Sequence, residues 1–182
     1  MIFEDKKVKL KNGEECILRS PDVKDAEKLI DYLRKASSET DYMLRYTEEI
    51  TMTIEDEEKF INDISKSNKD VMISAFIDDK LVGNSSICTI GNMIKVSHRA
   101  NFGIAVIKEA WNLGVGKALL TEILKYAKRV GFEQVELEVA SDNYKAINLY
   151  EEFGFKKYGT RSNSFKLKDG SYYTEYLMMK SL

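Results

Sequence analysis

Residues 104–120 read Ile104-Ala105-Val106-Ile107-Lys108-Glu109-Ala110-Trp111-Asn112-Leu113-Gly114-Val115-Gly116-Lys117-Ala118-Leu119-Leu120. An apolar run ends near Val106, a short loop carries Gly114 and Gly116, and a helical pattern begins directly after it. Glycines let the backbone approach a ligand closely, and the unpaired N–H groups of a first helical turn attract an anion. The stretch therefore predicts a phosphate-binding loop, with a tight strand-to-helix connection as the alternative.

Two other kinds of phosphate loop do not fit these residues. A P-loop needs glycine where the chain has Trp111 and a hydroxyl where it has Ala118. A dinucleotide fingerprint needs glycine or alanine where the chain has Leu119, together with a parallel strand crossover. A nucleotide- or dinucleotide-binding protein remains an alternative interpretation, and the glycine loop is the one feature of the sequence that supports it.

A second motif follows about thirty residues later. Residues 143–155 read Asn143-Tyr144-Lys145-Ala146-Ile147-Asn148-Leu149-Tyr150-Glu151-Glu152-Phe153-Gly154-Phe155. The loop pattern x-x-x-Gly-x-Gly/Ala and the pattern Asn-x-x-Ala-x-x-Leu-Tyr-x-x-x-Gly-Phe together resemble the two signatures of the GCN5-related N-acetyltransferases (GNAT), which bind acetyl-coenzyme A. With the flanking strands, the resemblance covers nearly the whole chain.

Hydrophobic periodicity predicts one mixed α/β domain over residues 1–182. The predicted order is one strand, two helices, three meander strands, a helix, a strand, a helix and a final strand pair. The first half is predicted to contain a strand Glu15–Arg19, a helix after Ser20-Pro21-Asp22 that buries Val23, Ala26, Leu29, Ile30 and Leu33, and a helix Ile54–Lys66. The three meander strands are Val71–Ile77, Leu81–Ile90 and His98–Val106. The second half is predicted to contain a helix ending at Gly131, a strand through Val135, Leu137 and Val139, a helix from Asn143 to Phe153, and strands Phe155–Thr160 and Tyr172–Met179. The resemblance implies a mostly antiparallel, twisted central sheet with one splayed parallel strand pair, flanked by about four helices.

Composition limits the partners that we expect. The 182 residues carry 28 Lys and Arg against 30 Asp and Glu, a net charge of -2, so no basic field exists to hold nucleic acid. No apolar stretch approaches the ~20 residues of a membrane span, and the N-terminus lacks a signal-peptide pattern. Cys16 and Cys88 lie in apolar runs, which suits reduced thiols in a cytoplasmic protein; a Cys88 nucleophile would have only His98 as its imidazole partner.

The resemblance also implies which residues hold the co-substrate. Acetyl-coenzyme A would lie with its pyrophosphate on backbone N–H groups from Leu113 to Lys117 and its pantetheine arm along the strand edge, and no metal is expected. The implied cofactor-binding residues are Ile104, Ala105, Val106, Leu113, Gly114, Val115, Gly116, Lys117, Ala118, Asn143 and Ala146. The family usually has Arg or Gln at the position of Trp111, so whether Lys108 or Lys117 supplies the missing polar contact stays open.

Tyr150 is the implied general acid at the thioester sulfur. Tyr150 and Asn143 are seven residues apart on one helix, hence on one face about 10 Å apart. Proton transfer from a phenol of pKa ~10 to a thiolate of pKa ~8.5 is unfavourable by about 2 kcal/mol, so this role requires that hydrogen bonding already stabilises the developing charge in the transition state. A core aromatic is the alternative role for Tyr150.

The acceptor amine needs a base, and the sequence leaves that base open. The candidates are Glu109, Glu138, His98 and the acidic residues of region 39–58; Glu136 and Glu138 also fit an exposed strand face. Residues 39–49 occupy the place where the family usually builds its acceptor wall, and their acids and aromatics suit a cationic amine, with a solvated loop as the alternative.

Together these features predict an acetyl-coenzyme A-dependent N-acetyltransferase acting on a primary amine by direct transfer in a ternary complex. Amino acids, polyamines, aminoglycosides and protein N-termini all remain possible acceptors. The alternative is a non-catalytic sensor or scaffold that only binds acetyl-coenzyme A. A homodimer through the C-terminal strands is a further expectation from the family.

Overall fold

The computed structural model describes residues 2–91 and 93–182 and shows, within them, one eight-stranded sheet and four α-helices. The strands are β1 (Lys6–Lys9), β2 (Glu15–Arg19), β3 (Val71–Ile77), β4 (Lys80–Thr89), β5 (Arg99–Val106), β6 (Gln134–Ala140), β7 (Lys156–Lys166) and β8 (Tyr172–Ser181). The helices are α1 (Ala26–Glu39), α2 (Ile54–Lys66), α3 (Val115–Arg129) and α4 (Tyr144–Glu152). The spatial order is β1-β2-β3-β4-β5-β6-β8-β7, and only β5 and β6 pair in parallel, which confirms the predicted fold class.

Local signals in the sequence explain where the helices begin. The Thr53 hydroxyl accepts from the Asp56 N–H and the Asp56 carboxylate accepts from the Thr53 N–H, so α2 starts at a complete capping box. Asp22 and Asp25 form a similar box one 3-10 turn ahead of α1. The predicted bounds of α2 are confirmed.

The β3–β4 hairpin lies in the interior of the sheet, between β2 and β5. Every residue of β3 except Ile77 is buried, which is the pattern of a strand covered on both faces. Asp78 and Asp79 both have positive φ, 47° and 66°, as a two-residue hairpin turn requires. The predicted hairpin is confirmed; Asn92, in the predicted turn after it, lies outside the described residues.

The parallel pair divides after three residues. Residues 99–101 of β5 pair with residues 134–136 of β6, whereas β6 pairs with β8 along its whole length. From Phe102 to Val106, β5 therefore pairs only with β4, and a gap opens on its other side. This is the splayed pair that the resemblance implies.

Three predictions differ from the structure. The first strand, β1, is missing from the prediction because its lysines are exposed and show no apolar alternation. Val23 is 42% exposed and lies in the 3-10 turn before α1, so it does not belong to the buried helix face. Glu136 is buried and ion-paired, so it does not lie on an exposed strand face.

No helix within the described part of the chain combines the length and the apolar character needed to cross a membrane.

Candidate active site

A cavity of about 800 Å³ fills the gap between β5 and β6 and continues to the start of α3 and along α4. The predicted site residues that line it are Ile104, Ala105, Val106, Gly114, Val115, Gly116, Lys117, Asn143, Ala146 and Tyr150. Leu113 and Ala118 are the predicted residues that do not line it. The Leu113 carbonyl accepts from the Lys11 N–H at 3.0 Å, and the Ala118 N–H is already bonded to the Gly114 carbonyl.

The glycine loop presents backbone donors to one end of the cavity. Gly114 is the N-cap of α3 and adopts φ +100°, which a residue with a side chain rarely adopts. Because Ala118 makes the first backbone bond inside α3, the N–H groups of Val115, Gly116 and Lys117 have no partner within the helix. The loop therefore has the geometry of an anion site.

The edge of β5 forms one wall of the cavity. The Ile107 N–H bonds to the Val82 carbonyl of β4, so the antiparallel alternation turns the backbone groups of Ile104 and Val106 away from β4 and toward the gap. The Val106 carbonyl accepts from the indole N–H of Trp111 at 2.6 Å. Thus the side chain that stands in place of the usual Arg or Gln contacts the very edge on which the arm is expected.

Asn143 has a structural role that the motif alone does not reveal. It is the N-cap of α4, and its side-chain oxygen accepts from the Ala146 N–H at 3.3 Å. Its amide NH₂ makes no hydrogen bond among the described residues. Asn143 therefore fixes the start of α4 and keeps two donors for a ligand in the cavity.

Tyr150 is both a core residue and a cavity residue. Its side chain is 7% exposed, and its ring packs edge-on against Phe102 at 6.2 Å and obliquely against Phe155 at 5.8 Å. Its hydroxyl has no hydrogen-bond partner in the part of the chain that the structure describes, and burial raises the pKa of Tyr150 above its ordinary value. A buried phenol without a partner, in the wall of a cavity, is available for a ligand.

The opposite end of the cavity is acidic. Glu138 of β6 and Glu175 of β8 line it, and both are paired with Arg161 of β7. Arg161 contacts the two oxygens of Glu138 at 2.7 and 2.8 Å and one oxygen of Glu175 at 3.3 Å; Glu175, which is 3% exposed, also accepts from the Ser164 hydroxyl. No local pattern in the sequence marks Glu175, because only the pairing of β6 with β8 brings it to the cavity.

The predicted acceptor wall, residues 39–49, is divided between two environments. Glu39, Thr40, Tyr42 and Met43 line the cavity. The Tyr42 ring lies 5.9 Å from the ring of Tyr173 on β8. Farther along, the Tyr46 hydroxyl accepts from the Lys168 N–H and Glu48 pairs with the Lys168 ammonium, which fastens this part of the segment to the β7–β8 turn.

Glu109 and His98, two further bases named from the sequence, do not line the cavity. Glu109 pairs with Lys35 at 2.6 Å and also with Lys80, and the hydrogen bond from Lys35 lowers its pKa. His98 is at the start of β5, where its carbonyl accepts from the N–H groups of Glu133 and Gln134. Of the bases named individually from the sequence, only Glu138 reaches the cavity.

Comparisons of this chain with known proteins agree on one protein family. A family model described as the acetyltransferase (GNAT) family matches residues 27–155. The chain is 34% identical over 107 residues to the L-amino acid N-acetyltransferase AaaT of Escherichia coli (strain K12), a match that covers 58% of this chain and 65% of that protein. The chain spans less than two thirds of the length of the curated relatives it matches.

Solved structures share the whole fold. The acetyltransferase of the GNAT family from Streptococcus pneumoniae superposes with a TM-score of 0.87 at 29% identity, over 92% of this chain and 99% of that one. The structure of yncA from Salmonella typhimurium, a putative acetyltransferase with its cofactor acetyl-CoA, gives a TM-score of 0.79 at 16% identity, over 92% and 94% of the two chains. At 16% identity, the similarity to the yncA structure supports the fold alone.

Proposed function

We propose a reaction for this chain from one premise: it belongs to the acetyltransferase (GNAT) family, whose model matches most of its length. The proposed reaction is transfer of the acetyl group of acetyl-CoA to a primary amine, by direct attack of the amine in a ternary complex. The observation that carries this proposal is the unpartnered hydroxyl of Tyr150, a largely buried residue in the cavity wall, seven residues from Asn143 along α4.

The cavity has parts that suit each stage of such a transfer. The amine nitrogen forms a bond to the acetyl carbon, the carbon–sulfur bond breaks, and the departing thiolate takes a proton. Tyr150 is proposed to donate that proton, and the N–H groups at the start of α3 to hold the pyrophosphate. A protonated amine must also lose a proton, which costs about 4.6 kcal/mol for a lysine-like amine at pH 7, and Glu138 is the proposed acceptor of that proton, directly or through water.

The acceptor is proposed to be a small primary amine of the amino-acid class. The similarity to an L-amino acid N-acetyltransferase supports this class, and so does the acidic end of the cavity, since carboxylates attract an ammonium group. Peptide N-termini, polyamines and aminoglycosides present the same group and belong in the test. We place the reaction in the cytoplasm because Cys16 and Cys88 are free thiols.

The test measures free coenzyme A with a thiol-reactive dye, with acetyl-CoA and a panel of amino acids, polyamines, aminoglycosides and short peptides. Calorimetry with acetyl-CoA alone runs in parallel. A rate with one class supports the enzyme and identifies its acceptor. Binding of acetyl-CoA with no rate across the panel would instead favour the sensor or scaffold, and no binding would refute both.

A further inference from the structure

At the proposed phosphate end of the cavity, position 111 carries Trp in place of the cationic or amide side chain that is usual in the family. The candidates for the missing contact are four lysines: Lys11, Lys108, Lys117 and Lys145. Lys117 is engaged elsewhere, because its ammonium pairs with Glu152 of α4. Lys108 does not line the cavity. Lys11 and Lys145 do line it, and neither forms a salt bridge within the described residues.

Lys11 is brought to the loop by the turn between β1 and β2. Its backbone N–H donates to the Leu113 carbonyl at 3.0 Å, next to Gly114. Its side chain lies next to Gly114, with Cγ 3.9 Å from the position that a Cβ on that glycine would occupy. Lys11 precedes residues 27–155, the part of the chain that the family model covers, so its place at the loop follows from the structure alone.

Lys145 reaches the same end from the first turn of α4. Its ammonium lies 5.0 Å from the centre of the Trp111 ring, within the range of a cation–π contact. Trp111 is itself fixed by the hydrogen bond of its indole to Val106. The side chain that replaces the usual polar residue therefore holds a lysine ammonium at the cavity wall.

We propose that Lys11 and Lys145 bind the phosphate groups of acetyl-CoA, and that Trp111 is the positioning residue that holds Lys145 in place for this contact. The proposal rests on the proposed function, because it assumes that acetyl-CoA is the ligand of this cavity. The three N–H groups at the start of α3 give the phosphates hydrogen bonds but no full positive charge. The two lysines add that charge.

The test compares two ligands that share the thioester arm. Acetyl-CoA carries phosphates, whereas S-acetylpantetheine carries none, and both dissociation constants are measured by NMR titration. Lys11→Gln and Lys145→Gln should each weaken acetyl-CoA binding about 3- to 10-fold and leave S-acetylpantetheine unchanged. Lys9→Gln, which removes an exposed lysine from the same hairpin, is the matched control and should leave both ligands unchanged.

Two variants of Trp111 separate positioning from support of the fold. Trp111→Phe keeps an aromatic face for Lys145 but loses the indole hydrogen bond to Val106, so it should lose less acetyl-CoA affinity than Trp111→Leu. Trp111→Leu should lose about as much affinity as Lys145→Gln, and the double variant should lose no more than either single one. A merely structural effect would instead weaken both ligands alike.

The outcomes distinguish this inference from the proposed function. If the unmodified protein binds acetyl-CoA and the Lys11 and Lys145 variants bind it as tightly as Lys9→Gln does, the inference is wrong and the proposed function stands. Equal losses for acetyl-CoA and S-acetylpantetheine would also overturn the inference. If the unmodified protein does not bind acetyl-CoA, the proposed function itself fails.

Discussion

Arg99 on β5 binds Glu136 on β6 through two nitrogen–oxygen contacts of 2.5 and 2.8 Å. Arg99 lies opposite Gln134 at the first register of the parallel pair, and Glu136 lies opposite Asn101 at the last. Glu136 is only 8% exposed, and the hydrogen bonds from Arg99 lower its pKa. The ion pair therefore links the two strands across the short stretch over which they pair.

Replacing Arg99 with Met should destabilise the fold by about 2–3 kcal/mol at pH 7, because it leaves a buried carboxylate without its partner. Since the folded pKa of Glu136 is lowered, its stabilising contribution is present above the unfolded pKa and is lost as the pH falls through the folded pKa. The difference between the variant and the unmodified protein should thus be full at pH 7 and shrink only below the ordinary carboxyl pKa of about 4.3, as the pH falls through the lowered folded pKa. Urea unfolding between about pH 3 and pH 7 measures it, and a difference that does not change with pH would contradict the assignment.

The two glycines of the loop should respond differently to alanine. Gly114→Ala forces a side chain onto a residue at φ +100° and should cost about 1–2 kcal/mol. Gly116→Ala should cost less than ~1 kcal/mol, because its new Cβ would meet only Leu149 and Val106 at ordinary distances of 3.6 and 4.0 Å. Thermal unfolding of the pair tests this, and equal losses would show that the positive φ is not what the loop requires.

Tyr150→Phe tests the proposed proton donor. We expect kcat to fall about 100-fold or more, with acetyl-CoA affinity within about twofold of the unmodified protein. The fold should be no less stable, because the lost hydroxyl lines the cavity and makes no hydrogen bond among the described residues. Since burial raises the pKa of Tyr150 above ~10, no titration of this phenol should appear in the rate between pH 6 and 9. An unchanged kcat would remove Tyr150 from the mechanism.

Glu57 of α2 gives a prediction on stability alone. It is buried, and desolvation raises its pKa while the charge of Arg45 opposes the shift. A raised folded pKa means that the contribution to stability is present at low pH and is lost as the pH rises through the folded value. Glu57→Gln should therefore stabilise the protein by on the order of 1 kcal/mol at pH 7 and by little near pH 4. Destabilisation at pH 7 would show that the carboxylate has a favourable partner.

The sequence predicts those parts of the molecule that depend on neighbouring residues. The capping box at Thr53 and the positive φ that Gly114 can adopt act within a few residues, so α2 and the glycine loop could be predicted from the sequence. Strand β1 could not, because its lysines pair with β2 at an exposed edge and carry no apolar signal.

In the candidate site, too, residues within one motif could be predicted, whereas residues brought in from distant elements could not. Tyr150 and Asn143 belong to one helix and follow from one motif. Lys11 and Glu175 reach the cavity from distant elements, through the Leu113 contact and the pairing of β6 with β8, and no local pattern marks either. Glu136 was assigned to an exposed face because alternation cannot show that Arg99 covers it.

The backbone bond between Lys11 and Leu113 couples the first hairpin to a loop one hundred residues later. A ligand that rigidifies the loop thereby favours the closed state of this bond, and the amide proton of Lys11 should then exchange with solvent more slowly. Binding of a ligand at the glycine loop would then be detectable at the edge of the sheet, in the turn between β1 and β2.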